Sequence, residues 1–497
     1  MDETRSTSGT ETLAAMHETH IGLVLLLGDR AYKIKKPVRM PFCDFSTSDL
    51  RRTAIRRELR LNRRLAPDVY LGTAELTGEG CTEPVLVMRR MPEHRRLSTL
   101  LTGGVDVSAD LRRLARSLAA FHSGAARSAV ITADGGTDAL RERWAANLSE
   151  LEPFRSRPLD PHVLDLVDSL APRFLAGRAA LFARRAAEGR IVDGHGDLLA
   201  DDVFCLDDGP RALDCLDFDD RLRHVDGLDD VAFLAMDLER LGAPLAAERF
   251  LSSYATFAGD PAPPALVHHF IAYRAGVRAK VACLRHAQDA TCGAGSGAMR
   301  LLDLCAAHLR SGAPRLALVG GLPGTGKSTL AAGLADAVGA VLISSDHLRK
   351  ELAGMTPPES AAAEFETGLY TRARTTEVYR QMLERAAVLL TLGESVVLDA
   401  SWTNSSARVA ARRTATTQVA ELVQLCCTAP GDVAAARIRA RHGSASDATP
   451  AIAERMAAAM DDWPEAARID TVSAPADCLR TALRHWEVAV ETPHTVS

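Results

Sequence analysis

Lysine is scarce in this chain. Lys33, Lys35, Lys36, Lys280, Lys327 and Lys350 are the only ones, and the other basic residues are nearly all arginine. Arginine cannot replace a compact ammonium at every site, so each lysine is informative. Excess positive charge is also missing: the net charge is −5 and the pI about 6.3, which gives no electrostatic footprint for nucleic acid. The aromatic fraction is 5%, and no aromatic–basic groove is visible. The ten cysteines contain no C-x-x-C pair, which argues against zinc and disulfide frameworks and for a reducing compartment. The longest early apolar run, Leu23 to Leu27, is too short to span a bilayer. The polar, acidic start from Met1 to Glu11 is not a signal peptide, so a cytoplasmic protein is expected.

What is present is a 497-residue chain that is 47% hydrophobic and 25% charged, in the range of globular proteins with two to four domains. Its clearest signal is Gly321-Leu322-Pro323-Gly324-Thr325-Gly326-Lys327-Ser328, followed by Thr329. This fits the P-loop pattern G-x-x-x-x-G-K-[ST]. An apolar run, Leu316 to Val319, precedes it, and a helical pattern runs from Thr329 to Val338. Strand, glycine loop and helix N-terminus would place backbone N–H groups around a phosphate. Lys327 would reach the phosphates and Ser328 would hold Mg²⁺. Further strands at Val341–Ile343, Ser395–Leu398 and Leu422–Cys426 alternate with helices, which predicts a parallel sheet.

Acidic and basic residues follow this order. Asp346 ends the strand after the P-loop helix, where it could accept a proton from an acceptor hydroxyl or cap the next helix. Arg349 could hold an anionic group of the acceptor. Val396-Val397-Leu398-Asp399 is an apolar strand ending in a carboxylate suited to Mg²⁺. Arg437, Arg439 and Arg441 cluster before His442-Gly443-Ser444 and could close over phosphates, or form an exposed basic helix.

The N-terminal half reads differently. Ile21–Leu27 and Ala31–Ile34 predict a hairpin, Ser48–Leu65 a helix, and Val69–Leu76 with Pro84–Arg89 further strands. A helical region includes Val163–Ala187, then Arg190–Asp219 is dense in Asp, and Asp229–Leu309 is helical again, interrupted near Gly259–Pro264. His195-Gly196-Asp197-Leu198 precedes Asp202, and Asp214-Cys215-Leu216-Asp217-Phe218 follows. Phosphoryl transfer needs a carboxylate near the acceptor hydroxyl and acidic groups on Mg²⁺. Lys33 or Lys35, on one face of a strand, could pair with Glu58 on the helix and orient ATP phosphates.

On these residues the segment from about 17 to 305 resembles the aminoglycoside phosphotransferase and choline-kinase branch of the protein-kinase-like fold. The resemblance implies Asp197 as base, Asp217 and Asp202 on metal, Lys33 with Glu58 at the phosphates, and Asp230 as a structural carboxylate. There are departures, among them Leu199 where the branch often has a second His. The branch usually has Asn at the position of Asp202, and no G-x-G-x-x-G loop precedes Lys33. Residues 314 to 490 are similar to P-loop kinases of the zeta-toxin and polynucleotide-kinase kind. Together the two halves resemble bacterial aminoglycoside phosphotransferase/AAA-family ATPase fusions.

The expected architecture is therefore α/β and α+β. A tail (1–16) leads into a two-lobed kinase-like domain (17–310), a linker (311–314) and a P-loop domain with a parallel sheet (315–497). The expected activity is an ATP- and Mg²⁺-dependent phosphotransferase acting on a small hydroxylated metabolite, with no membrane partner. The alternative is a P-loop ATPase coupled to a substrate-binding pseudokinase.

Overall fold

The computed structural model describes residues 14–18, 21–40, 43–78, 81–288, 293–356, 371–440 and 448–488. It divides into two units, Met1–Leu140 with Arg185–Pro261, and Arg141–Arg184 with Ala262–Ser497.

In the first unit the predicted hairpin forms between strands Gly22–Leu27 and Arg30–Lys35, with Gly28 left-handed at the turn (φ 57°). Strands Cys81–Arg89 and Tyr70–Gly78 extend the sheet on one side. On the other side Ala14–Glu18 pairs with Gly22–Leu27, Met16 opposite Leu25. The end of the expected tail is thus a strand, because the apolar Gly22–Leu27 edge gains a backbone partner there. Residues 1–13 lie outside the described ones. The helix Ser48–Asn62 starts at Thr47, whose hydroxyl accepts from the Leu50 N–H at 3.3 Å. Its inner face, with Ile55 buried, packs near Val69, Tyr70, Leu86, Phe204 and Leu213. Strand alternation then aims Lys33 and Lys35 from one sheet face toward the helix's buried Glu58.

The Asp-rich stretch forms strands Ile191–Asp193, Val203–Leu206 and Gly209–Ala212. The helix Gly227–Arg240 behind it carries Asp230, which is fully buried. The Asp230 carboxylate accepts from the backbone N–H of His195 and of Gly196, both at 2.7 Å, and lies 2.9 Å from His122 Nε2. His122 is thereby a structural residue; its Nδ1 accepts from the Tyr254 hydroxyl at 2.8 Å. Burial opposes the Asp230 charge, but His122, His195 and these N–H groups outweigh it and hold the carboxyl well below its ordinary range. A depressed folded pKa stabilises above the unfolded value of about 3.9 and loses that contribution as pH falls toward the folded value. Asp230→Ala should leave several buried donors unpaired at about 1–3 kcal/mol each, a large loss in denaturant unfolding at neutral pH. The deficit should shrink in strong acid.

In the second unit the expected Val163–Ala187 helix is two helices, Pro161–Gly177 and Ala179–Ala187, the second continuing into the first unit. The break is Arg178, fully buried, whose guanidinium donates to the carbonyls of Gln418 (2.8 Å) and Val419 (2.9 Å). Arg173 pairs with Glu421 at 2.7 Å. These contacts tie the helix Pro161–Gly177 to the turn that feeds strand Glu421–Thr428. Helices Pro264–Gln288 and Ala294–Ser311 follow. The expected linker 311–314 starts on the last residue of the second of these helices and lies inside this unit, where a Cβ on Gly312 would stand 2.8 Å from the His268 Cβ.

The parallel sheet has the order Val341–Ser344, Val396–Asp399, Arg315–Gly320, Glu421–Thr428, Ala467–Asp470. Its central strand is buried throughout, as a sheet covered on both faces requires. Leu316, Leu318 and Leu398 face one apolar cluster with Trp402 and Met382; Ala317, Val319 and Val397 face another with Leu334 and Trp486. The chain thus carries an antiparallel sheet with a packed helix in its first unit and a parallel sheet, whose central strand leads into the glycine loop, in its second. Among the described residues no helix is long and apolar enough to cross a membrane.

Candidate active sites

In the first unit the two candidate lysines share one carboxylate. Lys33 Nζ lies 2.7 Å from Glu58 Oε1, and Lys35 Nζ lies 2.9 Å from Glu58 Oε2. Each has a second partner: Asp214 at 2.9 Å for Lys33 and Asp217 at 2.8 Å for Lys35. Burial disfavours all these charges, yet Lys33 and Lys35 keep Glu58 below its ordinary pKa, and the carboxylates hold the Lys33 ammonium well above its own. Lys35 is nearly buried, at 4% exposure, and bridges the helix carboxylate to Asp217.

Asp214 was not picked out as a site residue by its sequence context. It is left-handed (φ 61°), its N–H donates to the Tyr70 hydroxyl at 3.0 Å, and the next N–H, of Cys215, donates to the Asn62 side chain at 2.8 Å. A strained non-glycine backbone held from both sides is typical of functional positions. Burial first, and then Asp214, Asp197 and Asp201, push the Asp202 carboxyl well above its usual range; burial also raises Asp217, despite Lys35. The structure therefore gathers Lys33, Lys35, Glu58, Asp197, Asp202, Asp214 and Asp217 into one region.

The loop carrying Asp197 has little freedom. The His195 ring is buried, with Nε2 donating to the Leu213 carbonyl at 3.0 Å, and burial lowers its pKa. His195 is thus a neutral scaffold residue. Gly196 has φ 86°, which favours glycine, and a Cβ there would stand a tight 3.0 Å from Arg223 Cγ.

In the second unit the P-loop glycines Gly321, Gly324 and Gly326 all have positive φ, at 137°, 83° and 79°. Helix Lys327–Val338 starts from Gly326, with Lys327 buried and Ser328 and Thr329 exposed at its N-terminus. Thr325 Oγ1 donates to the Leu322 carbonyl at 2.8 Å, and Gly321 N–H donates to the Ser401 carbonyl at 3.1 Å. Space at Gly324 is closed, since a Cβ would lie 2.4 Å from the Ala434 carbonyl oxygen. Gly324→Ala should therefore combine backbone strain with a clash and lose about 2 kcal/mol or more, read as a lowered Tm.

Asp399 stands beside Val319 and Ser344 in the sheet register and is buried. Burial raises its pKa against Lys327 and against hydrogen bonds from Ser328 and Ser344. Its Oδ1 is buried and has no hydrogen-bond partner. An orphan carboxylate oxygen next to a P-loop serine fits a hard cation that takes oxygen ligands. Ser328 and Asp399 would hold Mg²⁺ here, which would neutralise charge on bound phosphates. In the first unit Asp202 and Asp217 would be the corresponding carboxylates, each buried and with its pKa raised by that burial. Among the described residues no group of three or more His, Cys, Asp or Glu side chains forms a metal cage. Mg²⁺ does not need one when phosphates and waters complete its shell.

Asp346 is the second residue of helix Ser345–Leu352, and the N-cap position belongs to Ser344, so Asp346 is not the cap. Its charge contributes to the raised pKa of Asp399 and of Tyr379, which places it at the same sheet edge. Arg349 is buried, donates to Thr375 Oγ1 at 3.3 Å and acts on Tyr379 from the opposite sign. Tyr379, which its helix context makes indistinguishable from a core aromatic, bonds Ser401 Oγ at 3.2 Å and accepts from Trp402 N–H at 3.1 Å.

Arg437 is committed elsewhere. Its Nη1 donates to Thr471 Oγ1 at 3.1 Å and its Nη2 to the Thr471 carbonyl at 2.8 Å, while Thr471 Oγ1 donates to the Thr325 carbonyl at 2.8 Å. It braces the P-loop through Thr471. Arg439 is exposed, and Arg441 with His442-Gly443-Ser444 lies outside the described residues.

A profile described as an AAA domain matches residues 316–463. The uncharacterized proteins Rv2004c of Mycobacterium tuberculosis H37Rv and Mb2027c of Mycobacterium bovis are each 44% identical over 482 residues, covering 97% of both chains. Among solved structures, a choline/ethanolamine kinase family protein from Mesorhizobium loti covers 61% of this chain and 94% of its own, at 16% identity and TM-score 0.39. A gluconokinase from Sinorhizobium meliloti 1021 covers 36% of this chain and 94% of its own, at 21% identity and TM-score 0.28. With relatives matched at this identity along nearly their whole length, the chain belongs to the same family as these mycobacterial proteins.

Proposed function

We propose that the protein is an ATP- and Mg²⁺-dependent phosphotransferase with two nucleotide-handling sites, acting on a small hydroxylated metabolite such as a sugar, amino sugar or nucleotide derivative. The observation that carries this reading is Asp399: a buried carboxylate with one oxygen unpaired, bonded to the P-loop serine and within electrostatic reach of Lys327 and Asp346. That arrangement supports phosphates on one side and a hydroxyl acceptor on the other. Asp346 is the base and Arg349 the anchor for the acceptor. In the first unit Lys35, which reaches both Glu58 and Asp217, takes the phosphates, and Asp197 activates the second hydroxyl.

One observation favours a second reading, a substrate-binding pseudokinase joined to a P-loop ATPase. Both lysines are already paired with Glu58, Asp214 and Asp217, so the first site is electrostatically satisfied without nucleotide.

The test is label transfer from γ-labelled ATP to pooled sugars, amino sugars and nucleosides by wild type, Asp197→Ala and Lys327→Ala. Labelled acceptor is expected. Loss only in Asp197→Ala assigns it to the first site, and loss only in Lys327→Ala to the second. ATP hydrolysis with no labelled acceptor in any form would contradict the kinase reading and favour the ATPase.

A further inference from the structure

Glu58 can act only if its helix is held in one rotation, and the structure shows what holds it. The neighbouring side chain, Arg57, points about 100° around the helix. Arg57 Nη2 lies 2.6 Å from the Asp220 carboxylate. The same carboxylate accepts from Arg223, whose side chain is 2% exposed. Arg223 in turn donates to Asp193 Oδ1 at 2.8 Å and to the Leu216 carbonyl at 3.0 Å, and its own carbonyl accepts from the Gly194 N–H at 2.8 Å. Leu216 precedes Asp217, and Gly194 lies three residues before Asp197. Just past the helix end, Arg64 donates to the carbonyls of Asp193 (3.0 Å) and Gly194 (2.8 Å). The helix is therefore tied at its start by Arg51, which donates to Glu83 at 2.8 Å and to the Phe45 carbonyl at 2.7 Å, at its end by Arg64, and in its second half by Asp220, the tie that also reaches the loop of Asp217 through Arg223.

We propose that Asp220 is a positioning residue for the first site. Its carboxylate, clamped between Arg57 and Arg223, sets the rotation that delivers Glu58 to Lys35 and joins the helix to the loops of Asp217 and Asp197. Without that charge two guanidinium groups face each other with no carboxylate between them, and the helix turns or slides to separate them. Small displacements matter, since a shift of about 1 Å at a reacting centre can cost about a hundredfold. The inference rests on the nucleotide-binding reading of the first site.

The test uses the full chain carrying Lys327→Met, so that MgATP binding, read with a fluorescent ATP analogue, reports the first site alone. Asp220→Asn should weaken binding roughly tenfold and speed amide exchange across Ser48–Asn62. Asp220→Glu, which keeps the charge, should recover most of both. Arg57→Gln with Asp220→Asn should be no worse than the stronger single change. Unchanged affinity and exchange in Asp220→Asn, equal damage by Asn and Glu, or additive single effects would overturn the clamp. Failure of the site reading looks different: Lys327→Met protein would bind no analogue even with Asp220 intact, and amide exchange alone would then decide the clamp.

Discussion

Lys327→Met is expected to lower phosphoryl transfer at the second site by roughly a hundred- to a thousandfold. The ammonium is the only lysine in the P-loop, and it is held at the N-terminus of helix Lys327–Val338 beside Asp399. A methionine fills the same volume without donating to the phosphates, so the fold should persist. Arginine should not rescue, because its planar fork does not match a point-charge site. Single-turnover transfer measured at saturating ATP separates this from weakened binding. Activity within a few-fold of wild type in a chain whose first site has also been silenced would contradict the assignment.

The second large effect is expected at Asp197. A correctly placed general base contributes about a hundred- to ten-thousandfold. Asp197→Asn should remove that factor while keeping shape and the hydrogen bonds of the loop. The scaffold that presents Asp197 is independent of its charge: Asp230 holds the backbone of His195 and Gly196, and His195 is fixed to the Leu213 carbonyl. Nucleotide affinity should therefore stay near wild type while kcat falls. A parallel loss of affinity would move Asp197 from the acceptor to the phosphates.

Much of this was legible in the residues, for reasons that differ by element. The P-loop strand and helix could be read because a continuous apolar run, a glycine loop and a lysine each have one dominant physical meaning. The sheet strands likewise appear near their expected places, with Val396–Asp399 ending on its carboxylate. Lys33 and Lys35 could not be separated, since strand alternation puts both on one face. Geometry shows why the question was hard: both lysines reach Glu58, and only the second partner differs. Asp214 and Tyr379 carry no local signal, as their roles come from a left-handed backbone and from tertiary neighbours. Arg437 shows the opposite case. An arginine near a P-loop invites a phosphate role, and in the structure two of its N–H groups go to Thr471 instead. The segment 311–314 has the composition of a linker, yet Gly312 packs against His268, and the helix Pro161–Gly177 reaches the P-loop sheet through Arg173 and Arg178. Composition reports backbone freedom and says nothing about what lies against it.

The central claim is that one chain handles nucleotide at two unrelated sites. Calorimetric titration of the full chain with a non-hydrolysable ATP analogue and Mg²⁺ tests it most directly. The account predicts two equivalents in wild type, one in Lys327→Met and one in Lys35→Met, each variant keeping the other site's affinity. A single equivalent in wild type that vanishes with Lys327→Met and is untouched by Lys35→Met would contradict it.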